Sequence, residues 1–144
     1  MAKKKIFEPD EEIVKMVYEQ FEKFGLNENM TLQVFGITKQ KDVVRAAKAP
    51  EPTEFLTETE NIIQVFVYED AFNELDEDTQ RFLIEFALQP IWFDSEKGKV
   101  NIDKNPYKPL FELRKKYGDR ADELLETSYI AIQHLEDMEK SGLA

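Results

Sequence analysis

Phe82-Leu-Ile-Glu-Phe-Ala-Leu-Gln-Pro-Ile-Trp-Phe-Asp94 is the stretch that decides the fold. Phe82, Leu83, Phe86, Ala87 and Leu88 put apolar side chains almost all round one helical segment. A helix apolar on every side needs cover on every side, so it is predicted to be the central buried helix. Leu75-Asp76 opens it, with Asp76 as its cap. Pro90 has no N–H and restricts the residue before it, so the helix is predicted to stop near Gln89. Ile91-Trp-Phe-Asp94 and the run 99–103 then flank Ser95-Glu-Lys-Gly98, which predicts a β-hairpin with Gly98 at a positive φ.

Upstream, Asp10 is placed to cap a first helix, with Glu11 and Glu12 where the helix dipole favours negative charge. Ile13, Met16, Val17, Phe21 and Phe24 recur at helical spacing, and Gly25 is placed to end the helix. Residues 30–38 and 43–49 are β-prone and predict two strands, the second stopped by Pro50 and Pro52. Ile62-Ile-Gln-Val-Phe-Val-Tyr68 is nearly continuous in apolar residues, the pattern of a strand covered on both faces. Downstream, residues 110–117 predict a short helix ended by Gly118. Asp119 then caps a long amphipathic helix running to about Lys140. The prolines at 50/52 and 106/109 are read as loops. The predicted fold is α+β: a small mixed sheet with a β-hairpin, packed against the central buried helix and two C-terminal helices. Residues 1–144 are read as one domain, with residues 1–8 as a flexible or extended N-terminal arm.

At 144 residues and 42% hydrophobic, the chain can bury a substantial core. No apolar run reaches the ~18 residues of a membrane span, and the first residues have no secretory character. The net charge of −11 repels nucleic acid and favours a basic partner, although most of the acidic residues are interspersed with lysine and arginine as on ordinary solvated helices. The chain has no cysteine and one histidine, which rules out thiol chemistry and any site built on two or three histidines.

Several segments together resemble the phage-type putative zinc metallopeptidase family. They are Lys5-Ile-Phe-Glu-Pro-Asp-Glu-Glu-Ile13, Ala46-Ala-Lys-Ala-Pro-Glu-Pro-Thr-Glu-Phe-Leu56, the strand ending at Tyr68, the acidic approach to Glu85, the hairpin, and Phe111-Glu-Leu-Arg-Lys-Lys-Tyr-Gly118. In active members, the residues after position 85 are His-Glu-Leu-x-His. The two histidines ligate zinc from one helix face and the glutamate activates the bound water. Here those positions are Phe86, Ala87 and Pro90, and a further family histidine after the hairpin falls on Asn105. None of the three helix positions can ligate a metal or accept a proton. The resemblance therefore implies the metallopeptidase fold without the metal, without a cofactor and without peptidase activity.

His134, alone on the last helix, reads as a surface or core-edge residue. Asp94-Ser-Glu-Lys-Gly98 fails as a calcium loop, because Gly98 is at position five and Asn105 at twelve. Glu85, Asp94 and Asp103 form the one alternative donor set, a carboxylate site for Mg2+ or Ca2+. Trp92, Phe93, Asp94 and Asp103 make a candidate binding surface, in which Trp92, at the hairpin edge, is either a buried anchor or an exposed contact.

Three functions follow as expectations. The first is an inactive, phage-encoded metallopeptidase-like protein acting as a binding scaffold or virion component. It would work in the host cytoplasm or the virion through protein partners, without direct contact to nucleic acid or membrane. The second is an acidic decoy for a basic host factor. The third is a hydrolase with the rebuilt carboxylate site.

Overall fold

A computed structural model describes residues 5–105 and 107–142. The elements are β1 (Ile6–Phe7), α1 (Glu11–Lys23), a short 3-10 turn (Leu26–Glu28), β2 (Thr31–Ile37), β3 (Val44–Lys48), α2 (Glu51–Thr57), β4 (Ile62–Tyr68), α3 (Glu69–Phe72), α4 (Glu77–Leu88), β5 (Ile91–Asp94), β6 (Lys99–Ile102), α5 (Lys108–Tyr117) and α6 (Arg120–Lys140). The fold is α+β, as the periodicities predict. No helix among the described residues is long and apolar enough to cross a membrane.

Four strands form a mixed sheet in the order β1-β2-β4-β3, and β5-β6 form a separate hairpin. β2 and β4 are parallel, with Leu32 opposite Ile63 and Val34 opposite Val65; β1 and β3 run antiparallel to their neighbours. Side chains alternate across a strand. Ile63, Val65 and Val67 of β4 therefore share one face, and all three are fully buried. They join Val17 and Phe21 of α1 and Phe82 and Ile84 of α4 in one core cluster. The opposite face is closed in its middle by its own side chains. Gln64 donates to Gln33 at 3.0 Å, Phe35 stacks on Phe66 at 5.5 Å, and the Arg45 guanidinium lies 4.6 Å from the Phe66 ring centre. β4 is thus covered on both faces except at Gln64, which is half-buried.

Local signals set the ends of the two main helices. Asp10 Oδ1 accepts the Glu12 N–H at 2.9 Å, and Gly25 takes φ 71° just beyond α1. Asp76 Oδ1 accepts the Thr79 N–H at 2.9 Å, and α4 ends at Leu88, two residues before Pro90. In the hairpin, the Asp94 carboxylate accepts the N–H groups of Glu96 and Lys97, and Gly98 has φ 66°.

Three expectations need correction. Pro50 and Pro52 do not mark a loop: Pro52 lies in the first turn of α2, where a missing N–H costs nothing. For the same reason α5 begins at Lys108, with Pro109 in its first turn, rather than at residue 110. Asp119 is not a side-chain cap. Its backbone is already helical (φ −66°, ψ −18°) and it makes no capping hydrogen bond. Within residues 1–8, Ile6–Phe7 is extended and pairs with Ile37 and Gly36; residues 1–4 lie outside the described residues, as does Pro106.

Candidate binding cleft

Phe86 and Pro90 are four residues apart, so they stack on one side of α4 and its continuation, with Leu83 one turn earlier and Ala87 beside them. These side chains form one wall of a cleft of about 450 Å3. The segment 42–46, entering β3, also lines it. Ile102 at the end of β6, Asp103 and Asn105 just after it, and Leu110, Leu125 and Tyr129 from α5 and α6 complete the lining. Phe86, Ala87, Pro90 and Asn105, the four positions singled out by the resemblance, all line this one cleft, together with Asp103.

Several polar groups that line it are already engaged. The Asp103 carboxylate accepts the Asn105 N–H at 3.0 Å and is 2.9 Å from Lys108 Nζ. The Asn105 N–H, and after it Lys108, hold its carboxyl below the usual range. Asn105 Oδ1 in turn accepts the Tyr107 N–H at 3.0 Å, so its side chain braces the loop. The Tyr129 hydroxyl donates to Asp42 at 3.2 Å, and burial, then Asp42, raise its pKa. Ser128 Oγ donates to the Leu125 carbonyl. No nucleophile–base pair is formed by these groups; what the cleft offers is apolar surface.

It also offers backbone. β3 pairs only with β4 and is the edge strand of the sheet. Tyr68 N donates to Val43 O at 2.8 Å and Ala49 N to Ile62 O at 2.9 Å. In an antiparallel pair the bonded positions alternate. Residues 43, 45, 47 and 49 thus turn their peptide groups to β4, while Val44, Ala46 and Lys48 turn theirs outward. Val44 and Ala46 are at the cleft. The hairpin strand β6 lies nearby but belongs to a separate sheet.

The remaining predicted residues lie elsewhere. Trp92, Phe93 and Asp94 do not line the cleft. The hairpin register sets Trp92 opposite Asn101 and Asp94 opposite Lys99 at the turn, the far end from Asp103. Trp92 is 48% exposed and Phe93 packs against the core, so the predicted surface of Trp92, Phe93, Asp94 and Asp103 is not a single patch. Glu85 is one residue from Phe86, about 100° round the helix, and points away from the cleft. It is only 2% exposed; Lys116 Nζ donates to its Oε1 at 2.6 Å, and the Tyr117 phenol lies beside its carboxylate. Burial first, and Glu85 second, push the neighbouring Tyr117 phenol far up. Glu85, Asp94 and Asp103 are therefore not brought together. Among the described residues no group of three His, Cys, Asp or Glu side chains is placed to hold a metal ion. His134 lies on α6 with Nδ1 3.4 Å from Glu74, away from the cleft.

The β3 wall and Tyr129 were not foreseen. The one local signal was Lys48 and Pro50 at the end of a short strand, both typical of sheet edges. No family model matches the chain, and no curated protein or solved structure matches it.

Proposed function

We propose that the chain is a metallopeptidase-like protein without catalytic activity, whose cleft binds an extended segment of a partner protein. The carrying observation is a juxtaposition: apolar Phe86, Ala87 and Pro90 line one cleft together with an edge strand whose peptide groups at Val44 and Ala46 point away from β4. An extended segment laid along β3 gains main-chain hydrogen bonds, and its alternate side chains reach the apolar wall. The resemblance to the phage-type family directs the search for the partner to phage proteins, virion components included.

Ala46→Pro tests this reading. It removes an outward N–H without touching a bond to β4, so the fold is kept and one edge donor is lost. Affinity capture from infected cells with the native chain and the Ala46→Pro variant should yield a partner that the variant loses. Hydrolysis of an unstructured protein substrate by the purified chain, abolished by a chelator, overturns the reading.

A second reading is the acidic decoy for a basic host factor. It is favoured by the stretch between Lys48 and Arg81, which contains no basic residue and many acidic ones.

A further inference from the structure

We propose that the Phe55–Leu56 end of α2 is a docking surface for a partner protein that is apolar at its centre and flanked by lysine or arginine. This surface is distinct from the cleft: α2 follows the Lys48 end of β3, and none of its residues lines the cleft.

α2 buries none of its residues. Phe55 is 83% and Leu56 is 79% exposed, the highest values among the large hydrophobic side chains described. A single exposed leucine is ordinary. An adjacent aromatic–aliphatic pair on a helix that buries none of its residues is an anchor without a socket.

The backbone holds this pair in a defined pose. Glu58 caps α2 in the left-handed region (φ 54°), and Asn61, three residues on, also takes a positive φ (57°). Neither is glycine, so each conformation costs free energy that surrounding bonds must offset. Thr59 N donates to Glu54 O at 3.2 Å, Thr57 Oγ1 donates to Thr53 O at 2.7 Å, and the Asn61 side chain is tied to the hairpin at Gly98 and Val100. A tip fixed before binding loses little conformational freedom on binding.

Charge selects the partner. Phe55 and Leu56 share a shallow concavity whose other lining residues are Glu54, Glu58, Thr59 and Glu60. Lys48, Lys97 and Lys99 line the adjoining hollow between α2 and the hairpin turn, which shares Glu54 and Glu60 with this concavity. The charged residues that line the concavity itself are all carboxylates, and the complementary surface carries cations around an apolar centre. A second copy of the chain is a poor occupant, because each copy carries a net charge of −11.

The test titrates the full chain with a labelled amphipathic helical peptide built of leucine and lysine, and with its serine/lysine counterpart. The native chain should bind the leucine/lysine peptide better than the counterpart, and less tightly as salt is raised. Phe55→Ser/Leu56→Ser should weaken that binding at least about tenfold. Because α2 buries nothing, this variant should keep the native melting transition, which separates lost docking from lost folding. Equal binding by the variant, no binding by the native chain, or a native homodimer that the variant abolishes would each overturn the proposal.

Discussion

Asn61 and Val100 are joined across the hairpin. Asn61 Oδ1 accepts the Val100 N–H at 3.1 Å, while its Nδ2 donates to the Gly98 carbonyl at 3.0 Å. One side chain thus supplies the donor and the acceptor that a neighbouring strand would supply to β6. Its own carbonyl accepts the Thr31 N–H at 3.0 Å, which sets the start of β2 beside β4. Asn61 therefore fastens the separate hairpin, whose far end closes the cleft, to the main sheet.

Substitution at Asn61 separates the two costs. Asn61→Ala loses both side-chain hydrogen bonds and puts a Cβ without local polar compensation at φ 57°, for a loss of about 2–4 kcal/mol. Asn61→Gly loses the same bonds but accepts the backbone, so it should lose less, about 1–2 kcal/mol. Urea unfolding of the two variants checks the order. An alanine variant as stable as the glycine one would show that the backbone at 61 relaxes freely.

Asp76 gives a pH dependence with a definite sign. Its carboxylate accepts the Thr79 N–H, and hydrogen bonding to Thr79 lowers its pKa from 3.8. A carboxylate depressed in the folded chain contributes stability above its ordinary pKa. That contribution is lost as pH falls from the ordinary value through the folded one. Asp76→Ala should cost about 0.5–2 kcal/mol at neutral pH. Asp76→Asn should keep most of the cap while removing this part of the acid sensitivity. Melting curves of the native chain and both variants, at neutral pH and below pH ~4, test the pattern.

How much of this was legible in the chain depended on how local each cause is. Phe82 to Leu88 carry the helix in their own spacing, and Pro90 and Gly98 punctuate it within a few residues, so α4 and the hairpin were legible. α2 was not, because Pro50 and Pro52 read locally as strand breakers although proline is at home in a first helical turn. Asp119 looked like a cap because it follows Gly118, yet the glycine's φ of 63° turns the chain directly into α6. Phe86, Ala87, Pro90 and Asn105 were legible as a set only through the resemblance. The rest of the lining depends on contacts between residues as far apart as Asp42 and Tyr129, which no local pattern encodes.

Glu85 and Lys116 link α4 to α5 through a buried carboxylate and a largely exposed ammonium. Removing the cation alone leaves an uncompensated charge in the core, so Lys116→Met should destabilise the fold by about 1–3 kcal/mol. Adding Glu85→Gln removes the charge that needed the partner, so the double variant should recover part of that loss. A double variant no more stable than Lys116→Met would assign the cost to packing of the lysine stem instead.

The cleft geometry can be tested by returning the chemistry that the resemblance assigns to it. Phe86→His and Pro90→His would set two imidazoles four residues apart on the wall that Phe86 and Pro90 now form. Pro90→His also restores the N–H whose absence ends α4, allowing the helix to carry the second ligand. Asn105→His brings a third from the loop after the hairpin, and Ala87→Glu supplies a base beside them. Three histidines facing one cavity satisfy a zinc ion with an open fourth position. The quadruple variant should bind one equivalent of zinc in competition with a chelating dye, with the native chain as the reference. A folded variant that binds no zinc would mean that the four positions share a cleft without sharing a metal's coordination sphere, and the resemblance to a metallopeptidase would lose its structural basis.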